Sequence, residues 1–175
     1  WGPSPYGAIG AVSPEPVQRP VRVRGLPHVT RIGLGYWHSC AADAAGAVYC
    51  WGHNAEGQLG GGPRIAALPR ASKVPGVSGV VQVVAGRAHT CALRDDGKVV
   101  CWGNNHHGQL GTGQPGPAAG APTEIAGLDG VTQLAAEQHQ TCAIPGGRVV
   151  SCWGSDFAAK RDVGRPTRVE ALRDV

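Results

Sequence analysis

The chain has 175 residues, of which 28 are glycine, 14 are proline and 42% are hydrophobic, and its formal net charge is +4. This length suits one domain with a buried core, and no apolar run approaches the roughly 18 residues that suggest a membrane-spanning helix. The mild charge forms no basic stripe with interleaved aromatic residues, which argues against nucleic acid as a partner. No methionine occurs and no basic and apolar leader opens the chain, so we expect a processed protein or an excised segment.

A unit of about 51 residues recurs along the chain. Trp-Gly pairs begin at residues 1, 51, 102 and 153, and Cys40, Cys91 and Cys142 are 51 residues apart. A period near 50 with agreement in several columns is typical of propeller repeats. We predict the end of a degenerate blade over 1–22, repeats over 23–73, 74–124 and 125–168 (the last with a degenerate end), and the start of a further blade over 169–175.

Short apolar segments bounded by glycine and proline predict the strands. In chain order these are a strand over 29–34 and a hairpin over 38–52, a strand over 80–84 and a hairpin over 89–103, and a strand over 131–136 and a hairpin over 141–154. No segment sustains the period of a helix, and glycine is too frequent for long helices. We therefore predict an all-β fold with a four-stranded antiparallel blade in each unit.

The hairpin turns differ between units. If the two cysteines of a unit face each other, the loop has three residues and ends on glycine, Gly46 in the first unit and Gly97 in the second. That last position is left-handed, which glycine adopts without strain. In the third unit Gly146-Gly147 predicts a tighter turn and Ser151 precedes the second cysteine, so we expect a one-residue register slip or a bulge there.

One pattern carries a family resemblance: His-[Ser/Thr]-Cys-Ala-x-x-x-x-Gly-x-Val-x-Cys-Trp-Gly-x-Asn-x-x-Gly-Gln-Leu-Gly. It is strong over 38–60 and 89–111, partial over 141–154 and blurred at residues 6–10. This pattern resembles the repeat of the regulator of chromosome condensation family. The resemblance implies a β-propeller, usually of about seven blades. It does not imply one activity, because unrelated functions share the same fold.

About three and a half units of roughly 51 residues are present, so we expect a partial propeller, that is, an incomplete ring. The two ends of such an arc expose blade faces or unpaired strands, which favour association. We expect a fragment of a longer protein, a half-ring that pairs with a second copy, or an open arc. A second copy or neighbouring repeats that complete the ring are therefore candidate partners.

Each unit contains two cysteines ten residues apart. Directly opposed residues on antiparallel strands have Cα atoms roughly 4.5–5.5 Å apart, which a disulfide tolerates. The predicted bonds are Cys40–Cys50, Cys91–Cys101 and Cys142–Cys152. The alternative is that these are small, reduced residues packed between blades. Disulfides would place the protein outside the cytoplasm, secreted or at the cell surface; without them the sequence indicates no compartment.

Residues that recur from unit to unit indicate a structural role rather than a catalytic or metal-binding one. His38 and His89 stand two residues before a cysteine, but spacings of two and ten do not match known zinc sites, so we predict structural histidines bonded to nearby backbone and no metal. The tryptophans Trp51, Trp102 and Trp153 recur with the unit and predict packing between blades. We predict no cofactor, because Gly-Gln-Leu-Gly lacks the Lys-Ser/Thr of a phosphate loop. We also predict no enzymatic activity, because no nucleophile motif and no motif-placed carboxylate pair occurs.

Loop positions between the framework residues vary from unit to unit. The loop before each hairpin holds Tyr36-Trp37, Arg87-Ala88 or Gln138-His139, and the loop after Trp-Gly holds residues 53–56, 104–107 or 155–157. In the family that the pattern resembles, the loop before the hairpin contributes to a partner-binding face, and Tyr, Trp and Arg are common interface anchors. The candidate partner-binding residues are Tyr36, Trp37, Arg87, His139, His106 and His107. The alternative for each is an ordinary solvated loop residue.

The sequence therefore predicts a non-catalytic protein-binding module. Two alternatives stay open. One is a guanine-nucleotide exchange factor for a small GTPase, which the resemblance to the founding family member suggests. The other is a purely structural repeat segment of a larger surface protein.

Overall fold

The structure is a computed structural model that describes residues 1–61, 65–146, 149–156 and 160–169. Fourteen strands lie within these ranges. No helix in the described part of the chain is long and apolar enough to cross a membrane.

Three four-stranded antiparallel sheets, here named blades 1 to 3, follow one another along the chain. Blade 1 consists of β3 (Val29–Leu34), β4 (His38–Asp43), β5 (Val48–His53) and β6 (Ala67–Lys73). Blade 2 consists of β7 (Val80–Ala85), β8 (His89–Arg94), β9 (Val99–Gly103) and β10 (Ala119–Glu124). Blade 3 consists of β11 (Gln133–Glu137), β12 (Gln140–Ile144), β13 (Ser151–Asp156) and β14 (Arg161–Arg168).

A two-stranded sheet precedes blade 1 and is formed by β1 (Gly2–Ser4) and β2 (Ser13–Val17). The all-β prediction of four-stranded antiparallel blades is confirmed. The sheets do not close into a ring within the described residues, so the fold is a partial propeller.

The first strands of neighbouring blades lie side by side, β3 against β7 and β7 against β11. The Arg31 guanidinium donates across the first of these contacts to the Val81 carbonyl oxygen at 3.1 Å. The side-chain amide of Gln82 bridges the second, donating to the Leu134 carbonyl at 2.8 Å and accepting from the Leu134 N–H at 2.9 Å. The first strands therefore form the inner side of the arc.

The cysteines of each unit lie opposite each other on the second and third strands and form disulfides. Their Cα atoms are 4.1 Å apart in blades 1 and 3 and 4.2 Å apart in blade 2. The turns that follow place Gly46 at φ 74° and Gly97 at φ 77°, in the left-handed region.

The expected slip or bulge in the third hairpin is wrong. Cys142 pairs with Cys152 and Ala143 with Ser151 without a shift between β12 and β13. The spacing of ten between the cysteines is the same in every unit, which is why the pairing of the cysteines is the same as well. Gly147 of the predicted turn lies outside the described residues.

One further departure concerns a strand bound. The first strand of blade 3 begins at Gln133 rather than at Val131. Residues 170–175, most of the predicted start of a further blade, lie outside the described residues. Val169, just before them, still donates its N–H to the Val150 carbonyl at 2.9 Å.

The core consists of two apolar layers, each between two blades. In each layer, one blade contributes its disulfide and aliphatic residues, and the next blade along the chain contributes valine or leucine and a tryptophan. We call the first of these surfaces the outgoing face of its blade and the second the incoming face. Trp102 is 0% exposed and Trp153 is 1% exposed. Burial of such large apolar side chains is the main favourable term in folding. The contacts between neighbouring blades therefore supply most of the stability of each blade.

Candidate protein-binding loop face

A repeated group of buried hydrogen bonds holds consecutive blades together, and we name it the clasp. One backbone carbonyl of a unit accepts two side-chain donors from the next blade, a tryptophan Nε1 and a Ser or Thr hydroxyl. The Gln58 carbonyl accepts from Trp102 at 2.8 Å and from Thr90 at 2.9 Å. The same arrangement joins Gln109 to Trp153 and Thr141, and Ala8 to Trp51 and Ser39.

A buried histidine completes the clasp before blades 2 and 3. His38 Nε2 lies 2.9 Å from the Thr90 hydroxyl, and His89 Nε2 lies 2.8 Å from the Thr141 hydroxyl. The predicted bond to nearby backbone is therefore wrong, because the partner is a side chain of the next blade. Since the threonine hydroxyl already donates to a carbonyl, its oxygen accepts from Nε2–H, and this fixes the tautomer.

The clasp histidines are held neutral. Burial lowers the pKa of His38 to about 3, with a smaller contribution from His53. Burial also lowers the pKa of His89 to about 3, and repulsion from His38 and His139 acts in the same direction. Nδ1 of each ring is buried and has no hydrogen-bond partner among the described residues. These histidines join blades and are not accessible to a partner.

The loops before the hairpins converge at one end of the inner strands. The Tyr36 N–H donates to the Gly86 carbonyl at 3.3 Å, and the Arg87 N–H donates to the Gln138 carbonyl at 2.7 Å. Loops from neighbouring units pack beside them. We name the resulting surface the loop face; its side chains are Tyr6, Tyr36, Trp37, His53, Arg87, His106, His107 and His139.

The half of the loop face near blade 1 is aromatic. The rings of Tyr36 and Trp37 meet edge to face at 4.7 Å, and Tyr6 meets Trp37 at 5.8 Å and His53 at 4.6 Å. The Arg87 guanidinium carbon lies 5.3 Å from the Tyr36 ring centre, which is cation–π distance. Tyr36 is 56% exposed. This half can stack against a partner and donate hydrogen bonds to it.

The half near blade 3 is rich in histidine. The His107 and His139 rings are 4.6 Å apart, and His107 Nδ1 lies 3.1 Å from an Asp162 carboxylate oxygen. Burial lowers the pKa of His139, and repulsion from His107 and Arg87 lowers it further. His106 lies 3.9 Å from the Glu56 carboxylate.

A shallow depression of about 180 Å³ lies beside Tyr36 and Arg87. Leu34, Glu137 and Gln138 also line it. A partner side chain that enters it would meet apolar, cationic and anionic groups together. Among the described residues, no three His, Cys, Asp or Glu side chains are placed to hold a metal ion.

The structure brings all six candidate residues onto the loop face, Tyr36, Trp37 and Arg87 in one half and His106, His107 and His139 in the other. Sequence reasoning did not select Tyr6, His53 or Asp162 as candidates. A signal for Tyr6 was present, because Tyr6 and His107 occupy the same column of the repeat, as do Trp37 and His139. No such signal existed for Asp162, because its strand was not predicted.

Two larger cavities lie on the end faces of the arc. One of about 340 Å³ lies on the incoming face of blade 1 beside Ile32 and Leu34, which are 66% and 67% exposed. The other, of about 450 Å³, lies on the outgoing face of blade 3. Val83 occupies the Ile32 column in blade 2 and is 3% exposed, so these end faces are the kind of surface that a neighbouring blade covers.

Comparison with known families gives one consistent result. Two family models, both described as the regulator of chromosome condensation (RCC1) repeat, match the chain. The first matches residues 29–58 and 80–109, and the second matches residues 45–93 and 96–144, which is more than half of the chain.

Curated relatives carry the same repeats within much longer proteins. The chain is 33% identical over 182 residues to the probable E3 ubiquitin-protein ligase HERC6 of Homo sapiens, an alignment that covers 97% of this chain and 17% of that protein. It is 32% identical over 180 residues to the human E3 ubiquitin-protein ligase HERC2, covering 99% of this chain and 4% of that protein. The chain therefore spans less than a fifth of the length of either relative.

Among solved structures, yeast RCC1 (Prp20) bound to Kap60 superposes on the chain with a TM-score of 0.82 at 21% sequence identity. The superposition covers 97% of this chain and 44% of that one. At this identity the likeness shows the fold alone.

Proposed function

Because the chain belongs to the regulator of chromosome condensation (RCC1) repeat family, we propose that it is a protein-binding module without catalytic activity of its own, and that its partner contacts the loop face. One observation carries the proposal. The columns that repeat are buried in the clasp and the core, whereas the six candidate residues occupy columns that differ from unit to unit and are exposed or half-buried.

The chemistry of the loop face supports a protein partner. Arg87 and Tyr36 are both exposed on it, and the Arg87 side chain makes no hydrogen bond or ion pair within the described residues. Aromatic residues and arginine on rigid loops are the usual anchors of protein interfaces. Loops before and after the hairpins are fixed by backbone hydrogen bonds, so little conformational entropy is lost on binding.

A solved protein of the same fold, yeast RCC1 (Prp20), was crystallised with another protein, Kap60, bound to it. The HERC relatives are named as ligases, but this chain matches only a small part of them. The proposal therefore contains no ligase activity.

Two single substitutions and a matched control test the binding role. The immobilised chain first captures a partner from the source organism, and the purified partner is then titrated against Trp37→Ala and Arg87→Ala. Each variant should weaken binding by about tenfold or more, which is the effect of losing an interface anchor. Arg70→Ala, an exposed arginine on β6 away from the loop face, should bind as tightly as the wild type.

Unchanged affinity in both loop-face variants would remove this surface from the partner site. If the chain captures no specific partner under any condition, the structural-segment alternative replaces the binding role.

We also propose that the protein works outside the reducing cytoplasm, secreted or at a cell surface. The cysteines of the first two disulfides are 0% exposed, and structural disulfides of this kind belong to oxidising compartments. Titration of the denatured, unreduced natural protein should find no free thiol. Six free thiols, one for each cysteine of the chain, would contradict the assignment.

A further inference from the structure

We propose that His107, His139 and Asp162 form a latch that keeps the loop face in its binding arrangement at neutral pH and opens it on acidification. This regulation rests on the proposed role of the loop face in partner binding.

The latch joins three separate elements. His107 lies in the loop between β9 and β10, His139 lies between β11 and β12, and Asp162 lies on β14. The His107 Nδ1–H donates to the Asp162 carboxylate at 3.1 Å, and the His139 ring packs against His107 at a tilt of 47°, with the ring centres 4.6 Å apart. The contact between blades 2 and 3 on the loop face therefore depends on two imidazole rings.

The neighbour Gln109 requires a neutral His139. Gln109 Oε1 accepts from the His107 N–H at 3.0 Å, and Gln109 Nε2 donates to Asn104 Oδ1 at 2.7 Å, so the amide cannot flip. The same Nε2 lies 3.4 Å from His139 Nδ1. Because an amide nitrogen only donates, His139 Nδ1 must accept. A proton on Nδ1 would set two N–H donors against each other.

The charges around His139 act mostly in the same direction. His107 and the Arg87 guanidinium both oppose a positive charge on His139, and only the Asp162 carboxylate favours it. Burial, the largest cause, also lowers the pKa of His139. An opened loop would restore the ordinary value of 6.5. The closed form is therefore favoured above that value and loses stability as the pH falls below it.

Opening would change the partner site, because the His139 loop carries backbone bonds of the loop face. The Arg87 N–H donates to Gln138 at 2.7 Å, and the Ser155 N–H donates to His139 at 2.9 Å. Gln138 itself has a φ of 44°, a left-handed conformation that a non-glycine residue adopts only when its surroundings hold it there. Displacement of His139 would free this loop and remove the support of Arg87.

The junction before blade 1 has an aromatic pair in place of the two histidines. Tyr6 and Trp37 stand in the columns of His107 and His139, and their rings meet at 5.8 Å. His53, whose pKa burial also lowers, lies 4.6 Å from Tyr6, so the blade 1 amides are not a pH-insensitive control. The His53 N–H donates to Trp37 at 2.8 Å, in the same position as the bond from Ser155 to His139.

Amide hydrogen exchange on the full chain tests the latch without a partner. Protection of the Arg87 and Ser155 amides should fall by about tenfold from pH 7.5 to about pH 5, because the closed form becomes less stable. Part of this fall comes from the clasp histidines, which also lose stability in acid. The double variant His107→Tyr/His139→Trp, which copies the blade 1 pair, should lose less protection than the wild type between these pH values, and His106→Gln should lose as much as the wild type.

Equal protection of the Arg87 and Ser155 amides at both pH values would overturn the latch. A double variant that loses as much protection as the wild type would overturn it as well. If the double variant does not fold, the single variant His139→Gln takes its place in the same comparison.

A titration with the captured partner separates this proposal from the binding role. Partner release in acid by the wild type, at a site that depends on Trp37 and Arg87, supports both. If the latch opens in acid but partner affinity does not change in Trp37→Ala and Arg87→Ala, the binding role is contradicted and the latch stands. If the latch opens in acid and binding depends on Trp37 and Arg87 but does not change with pH, the proposed regulation is contradicted.

Discussion

The junctions before blade 1 and before blade 3 share the tryptophan and hydroxyl bonds of the clasp but carry different loop contacts. In both, one backbone carbonyl accepts hydrogen bonds from a tryptophan Nε1–H and a hydroxyl. The Ala8 carbonyl accepts from Trp51 and Ser39 before blade 1, and the Gln109 carbonyl accepts from Trp153 and Thr141 before blade 3. On the loop face, the junction before blade 1 has the pair Tyr6 and Trp37, and the junction before blade 3 has the pair His107 and His139.

The comparison shows how the repeat separates stability from recognition. Buried polar groups must be paired, so the clasp allows few substitutions. The loop columns lie on a framework that is already fixed, so they can differ without loss of the fold. Substitutions in the clasp should therefore change stability, and substitutions on the loop face should change binding.

The largest effect is expected from Trp102→Ala. Trp102 is 0% exposed and donates to the Gln58 carbonyl, so the variant leaves a cavity and removes one of the two hydrogen bonds to that carbonyl. The free energy of unfolding should fall by about 3–5 kcal/mol, measured by denaturant titration. Trp1→Ala, in the same column but 74% exposed, should change it by less than about 0.5 kcal/mol. Similar losses in both variants would contradict the clasp.

The clasp histidines should make the protein sensitive to acid. Their pKa is about 3 when folded and 6.5 when unfolded, so the stabilisation is present above pH 6.5 and is lost as the pH falls towards 3. At pH 5 the loss should be about 2 kcal/mol for each histidine. Unfolding measured from pH 8 to pH 5 checks this. His38→Gln, which copies Gln140 of the third unit, should flatten the profile, and an identical profile would contradict the assignment.

Each disulfide should contribute less than Trp102. Each closes a short loop with a sequence separation of 10, for which the chain-entropy account gives about 2–3 kcal/mol. Cys91→Ala/Cys101→Ala should lower the free energy of unfolding by that amount. A double variant that unfolds at the same denaturant concentration as the wild type would show that this bond contributes nothing.

A smaller effect is expected at Gly86. A Cβ at this position would collide with the His89 ring and would also lie 2.8 Å from the Gln138 carbonyl oxygen. Gly86→Ala should therefore lower stability by about 1–3 kcal/mol, as overpacking does. In the third unit Glu137 and Gln140 replace this Gly and His, so adding His89→Gln should restore part of the loss. A double variant as unstable as the sum of the two single variants would contradict this coupling.

The repeat made most of the fold predictable. The fixed spacing of Trp-Gly and of the cysteines identified the family, the all-β class and the four-stranded blades, because each column repeats one structural role. The register of the third hairpin was predicted wrongly, because Gly146-Gly147 and Ser151 were interpreted as a slip or a bulge. The spacing of the cysteines, which is the same in every unit, already indicated the observed pairing.

The contacts between units were harder to predict. The bond from His38 to Thr90 joins residues 52 positions apart, and only the geometry of neighbouring blades brings them together. The recurrence of Ser39, Thr90 and Thr141 in one column was nevertheless a usable signal. The contact of His107 with Asp162 had no such signal, because the third unit departs from the repeat after Gly154 and β14 follows directly.

The central claim is that the repeated columns hold the blades together and the varying columns bind. One variant tests it most directly: a chain in which Tyr36, Trp37, Arg87, His106, His107 and His139 are all replaced by alanine, titrated with the captured partner and unfolded in denaturant. It should keep a cooperative transition within about 2 kcal/mol of the wild type and lose binding by at least about a hundredfold. Wild-type affinity in this variant would contradict the claim.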